Sequence, residues 1–74
     1  MKKYELFDVA KKYISELPEG TVFFVATLLA DEFENLDSGM HRMFGKFFKE
    51  QLDKGHLPNV EYLGRTSANK YKKI

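Results

Sequence analysis

Arg42, Lys46 and Lys49 are spaced i, i+4, i+7, which places three cations on one side of a helix. Guanidinium and ammonium groups in such a row can hold phosphates, and an arginine can pair with the N7 and O6 acceptors of guanine. Ser38 and His41 precede and interleave with them near the start of the same helix, where base-reading side chains sit in helices that enter a DNA groove. Gly45 faces the same way, and its missing side chain allows either a sugar-phosphate strand or another helix to come close. The tail adds Arg65, Lys70, Lys72 and Lys73, of which Lys70 and Lys72 alternate onto one face of a strand.

Each of these features also has a plainer explanation. Lys46 with Glu50 and Lys49 with Asp53 have the spacing of ordinary solvated ion pairs on a helix. Lysines on a terminal strand guard an exposed sheet edge. Ser67 and Asn69 are turn formers. Aromatic residues between cations can signal base stacking on a single strand. Here the phenylalanines have core spacing, and Tyr4 and Tyr62 are the candidate exceptions.

Other chemistry has little support. His41 and His56 are fifteen positions apart, there is no cysteine, and neither a metal-ligand spacing nor an HExxH motif occurs. No phosphate-binding glycine loop and no GxSxG is present. The acidic run Asp31, Glu32, Glu34, Asp37 lacks the spacing of a calcium loop. The chain is therefore read as non-enzymatic, with no cofactor and no metal.

The elements that must position these residues follow from apolar periodicity. Residues 3–17 place Leu6, Phe7, Ala10, Tyr13, Ile14 and Leu17 at helical spacing. Pro18 and Gly20 then turn the chain. Thr21–Val25 is β-branched and aromatic, a strand too short to stand without a later partner. Ala26–Phe33 returns to helical spacing. Asp37 or Ser38 caps a third helix that runs to about Lys54, with Gly55 as its stop. Within it Met40, Met43, Phe44, Phe47, Phe48 and Leu52 form the apolar side. Val60–Arg65 and Lys70–Ile74 read as a hairpin around residues 66–69. Helix, strand, helix, helix and hairpin together predict an α+β winged helix-turn-helix, with three helices and a small antiparallel sheet made from the short strand and the C-terminal hairpin.

Length and composition agree with one globular domain. The 74 residues include seven Phe and four Tyr against two Pro. The net charge of +1 hides an asymmetry: residues 1–37 carry four lysines against eight acids, and residues 38–74 carry eight Lys or Arg against three acids. A DNA-binding domain usually has a clear basic excess. Any nucleic-acid contact is thus expected to be local, and weak unless a homodimer strengthens it. The acids of Tyr4–Asp8 interrupt any signal-peptide pattern, and no apolar run approaches a membrane span, so a cytoplasmic protein is expected.

Several short motifs carry a resemblance. Leu17-Pro18-Glu19-Gly20-Thr21-Val22-Phe23, Leu28-Leu29, Arg42-Met43-Phe44-Gly45-Lys46-Phe47-Phe48, Gly55, Leu63-Gly64-Arg65-Thr66-Ser67-Ala68-Asn69 and Tyr71 resemble a family of short bacterial and phage proteins. That family is known only as a domain of unknown function, number fourteen-thirteen. Two details depart from its pattern: Asn69 and Tyr71 are closer together than usual, and Asn35-Leu36 replaces an aromatic before the third helix. The resemblance implies a stand-alone winged-helix-like domain, often from mobile elements, and supplies no activity or site residue. The reading adopted is a non-catalytic DNA-binding regulator using Ser38, His41, Arg42, Lys46, Lys49, Arg65, Lys70 and Lys72. The alternative is a protein-interaction module on the same scaffold, such as a phage-encoded inhibitor of a host protein.

Overall fold

In a computed structural model, which describes residues 2–74, the first helix is α1, Lys3–Glu16. It buries Leu6, Phe7, Ala10 and Ile14, the i, i+4 face that the periodicity requires. A two-residue strand β1, Val22–Phe23, follows; it is shorter than the expected Thr21–Val25 because Val25 already begins a helix and Phe24 is its extended N-cap.

The single helix expected over Ala26–Phe33 is two short ones, α2, Val25–Leu28, and α3, Ala30–Phe33. Val25, Leu29 and Phe33 are all buried, four residues apart. In one straight helix a fourfold spacing drifts by about 40° per step, so the last of the three would lie about 80° away from the first. The break at Leu29 (φ −108°, ψ 29°) resets the rotation and turns all three inward.

The longest helix is α4, Ser38–Asp53, whose N-cap is Asp37: its carboxylate accepts from the Met40 amide at 2.8 Å. At the other end Gly55 has φ +82°, its amide donates to the Leu52 carbonyl, and the His56 amide donates to the Gln51 carbonyl. Those two bonds are the paired closure of a helix ended by a left-handed glycine. The inward face of α4 is Phe44, Phe47, Phe48 and Gln51. Met43, expected on that face, is instead 46% exposed. It lies about 100° round the helix from Phe44, at the margin of the apolar stripe.

Strands β2, Val60–Arg65, and β3, Asn69–Lys73, form the hairpin, and β1 pairs with β3, so the antiparallel sheet runs β1-β3-β2. The pairs Val22 with Lys72 and Phe23 with Tyr71 show the early strand finding its partner at the end of the chain. A bulge between Tyr62 and Gly64 uses the positive φ of Gly64. Tyr71 is fully buried between helix and sheet, its ring 4.9 Å from Phe48 and 5.8 Å from Phe23. Such contacts between aromatic rings are worth about 0.5–1.5 kcal/mol beyond their buried area. The fold is α+β, with four helices and a three-stranded sheet among the described residues. None of the described helices is long and apolar enough to cross a membrane.

Candidate functional site

The helical screw of α4 decides where its cations go. Relative to Phe44, positions 42, 46 and 49 lie about 140–200° round the helix, opposite the core. There they meet the tip of the β2–β3 hairpin, which the pairing of β3 with β1 holds in place. Between α4, this tip and the first turn of α2 runs a groove of about 610 Å³. Arg42, Lys46 and Lys49 line it from the helix and Arg65 from the hairpin, with Glu50 as its one acid. Phe24, Val25 and Ala26 supply an apolar wall, and Ala68 at the hairpin tip also lines the groove.

The four cations differ in how committed they are. Lys49 is tied down: its Nζ is 2.6 Å from Asp53 Oδ1 and 4.4 Å from the centre of the Tyr62 ring. Among the described residues the ion pairs are Lys49–Asp53 and Lys11–Asp8, so Arg42, Lys46 and Arg65 are exposed and unpaired. The expected Lys46–Glu50 pair is not formed.

Two features of this groove cost stability. Gly45 sits within α4, and a Cβ placed on it meets no atom within 4 Å. Internal packing therefore gives no reason for a glycine that costs about 0.5–1 kcal/mol relative to alanine in mid-helix. The Tyr71 hydroxyl, beneath the same groove, is buried with no hydrogen-bond partner. A buried donor left unpaired costs about 1–3 kcal/mol. Burial pushes this hydroxyl up to about 12, an effect that the neighbouring Asn69 amide partly offsets. Asn69 itself accepts from the Tyr62 hydroxyl at 2.9 Å. Both departures from local rules lie on the same groove.

The remaining sequence-selected residues are placed differently. His41 lines the groove, but its ring is stacked on Phe33 at 4.5 Å and its Nε2 donates to the Phe33 carbonyl at 2.8 Å. It is held as a strut between α3 and α4. Ser38 is the exposed first residue of α4, outside the groove. Lys70 and Lys72 flank the inward-facing Tyr71, so strand alternation turns them to the outer face of the sheet, with Lys72 opposite Glu61. The structure thus joins Arg42, Lys46, Lys49 and Arg65 and separates Lys70 and Lys72 from them. Lys73 faces inward, where its Nζ donates to the carbonyls of Ile14 at 2.8 Å and Leu17 at 3.1 Å.

The apolar wall at Phe24–Ala26 was not identifiable as part of a site from the sequence, where Phe24 and Val25 read as the end of a strand and Ala26 as the start of a helix. In the structure Phe24 is the extended N-cap of α2. Phe24 also borders a second groove of about 780 Å³, between the end of α1, β1 and the α2–α3 pair. Glu16, Asp31 and Glu32 line that groove with no cation among its lining residues. There Tyr13 donates to Glu32, and that carboxylate raises the Tyr13 hydroxyl above its ordinary value. The charge split along the chain has become two grooves of opposite sign meeting at one phenylalanine.

Comparison with curated proteins and with solved structures returned no match. A family profile does match, from residue 8 to residue 73, and the chain belongs to the family described as a domain of unknown function, DUF1413.

Proposed function

We propose that this protein is a small non-catalytic DNA-binding regulator with a winged-helix arrangement, of the kind mobile elements carry. Its α4 presents Arg42 and Lys46 to the nucleic acid, and the β2–β3 tip adds Arg65 as the wing. The element order, with an early strand closing the sheet against the last one, supports the winged-helix reading. One observation carries the functional reading: exposed cations from two elements far apart in sequence converge on a single groove without acids to neutralise them, apart from Glu50. Lys49 contributes less, because Asp53 already holds it. Lys70 and Lys72 lie on the outer face and act at most as long-range attraction.

Phosphate binding releases counterions, so the logarithm of affinity falls with the logarithm of salt by roughly 0.9 per phosphate neutralised. Arg42→Ala combined with Lys46→Ala is expected to lower affinity for duplex DNA and flatten that slope by roughly 2. An unchanged slope and affinity in the double variant contradicts the reading.

A second reading, a protein-interaction module such as an inhibitor of a host protein, has its own observation in the acidic groove at Glu16, Asp31 and Glu32. Retention of a stoichiometric protein partner from nuclease-treated lysate, abolished by Asp31→Lys and not by Arg42→Ala, favours this second reading over the first.

A further inference from the structure

We infer that the groove between α4 and the hairpin tip takes one unpaired nucleobase, with Arg42, Lys46 and Arg65 holding the phosphates on either side of it and the Tyr71 hydroxyl reading its edge. This deepens the nucleic-acid reading above and rests on it. Three observations point the same way. The groove combines exposed cations, Arg42, Lys46 and Arg65, with an apolar stretch formed by Phe24, Val25 and Ala26. A phosphate gains nothing from apolar surface, and a paired duplex presents no flat apolar face to a cavity. An extruded or single-stranded base has two apolar faces and a polar edge, and enzymes and readers of unpaired bases hold them between apolar walls with hydrogen bonds to that edge.

The second observation is Tyr71. Its ring is fully buried among Phe23, Phe48 and Tyr62, contacts that a phenylalanine would make equally well. Among the described residues the hydroxyl has no partner that meets hydrogen-bond geometry, although the Asn69 amide is close enough to act on it, and the residue lies on the groove. A hydrogen-bond donor held beneath a groove in this way suits a ligand acceptor. A base edge reaches it when the Asn69 side chain turns aside, which breaks the Tyr62–Asn69 bond. The third is Gly45, whose missing side chain leaves open space on the helix wall facing the hairpin. The base on this account lies between the helix at Gly45 and the wall at Phe24, directly above Tyr71.

The test uses the full chain and three fluorescently labelled DNA probes of one sequence: a fully paired duplex, that duplex with a single bulged nucleotide, and the single strand. Anisotropy titrations at low salt are expected to give tighter binding to the bulged duplex and the single strand than to the paired duplex. Tyr71→Phe is expected to weaken binding to the two unpaired probes by about three- to tenfold, the range for loss of one hydrogen bond, and to leave the paired duplex unchanged. Its thermal midpoint is expected to equal or exceed that of the parent, which separates loss of recognition from loss of folding. Ala68→Leu, at the exposed tip, narrows the groove without touching the core and is expected to weaken the same two probes. Equal affinity for all three probes, or no effect of Tyr71→Phe on the unpaired ones, overturns this inference and leaves general DNA binding standing. No binding to any probe overturns both.

Discussion

Lys73 reaches across the molecule to the Ile14 carbonyl, placing its ammonium 2.8 Å from an acceptor 59 residues earlier in the chain. The last turn of α1 contains no basic residue, so this cation from β3 meets the negative end of the helix dipole and two carbonyls there, Leu17 and Ile14, the latter also accepting from the Leu17 amide. Lys73→Met keeps the apolar stem and removes those bonds. Hydrogen bonds from a charged donor contribute about 1.5–3 kcal/mol, so the variant is expected to lose about that much in urea denaturation. Its DNA affinity, once it is folded, is expected to match the parent. A stable Lys73→Met variant with weakened binding would reassign Lys73 to the binding surface.

Gly45→Ala tests whether the groove explains the glycine. With no atom within 4 Å of the new Cβ, the substitution is expected to stabilise the protein by about 0.5–1 kcal/mol, the ordinary helix-propensity gain. DNA affinity is expected to fall in the same protein. Improved stability without any loss of affinity would leave the glycine with no role in binding.

The α4 row, the hairpin and the early strand were all legible in the sequence, because Phe44, Phe47 and Phe48 have unambiguous spacing and Thr21–Val25, longer than the strand observed, needs a partner. What was not legible depended on tertiary context. The spacing of Leu28, Leu29 and Phe33 looks helical in a short window, and only the demand that Val25, Leu29 and Phe33 all reach one core breaks the helix at Leu29. Lys70, Lys72 and Lys73 are alike as letters in a basic tail. Register separates them, sending two outward and one onto α1. His41 read as a base contact because it lies near the start of its helix, and stacking on Phe33 gives it a partner inside the protein.

Charge position gives a third prediction. Lys70→Ala combined with Lys72→Ala removes the same formal charge as Arg42→Ala combined with Arg65→Ala. If the groove binds phosphates, the second pair is expected to reduce the salt slope by roughly 2 and the first pair by much less. Equal effects in electrophoretic or anisotropy titrations would mean that only net charge matters.

The Tyr71 hydroxyl predicts an alkaline limit to stability. It holds its proton up to about 12 in the folded protein and to the ordinary value of 10.0 when unfolded. Between those values the unfolded chain has released a proton that the folded chain retains, so ionisation favours unfolding and stability falls as pH rises. Urea midpoints measured from pH 9 to pH 12 are expected to decline less steeply for Tyr71→Phe than for the parent, since the two proteins differ only in this hydroxyl. Parallel curves would show that the hydroxyl ionises as freely in the folded state as in the unfolded one.

The most direct measurement is the salt dependence of DNA affinity for the parent chain and for Arg42→Ala/Lys46→Ala, followed by anisotropy on one labelled probe. The account predicts a measurable negative slope for the parent and, in the double variant, weaker binding with a slope flatter by roughly 2. Superimposable curves for the two proteins, or no binding at the lowest salt, would contradict it.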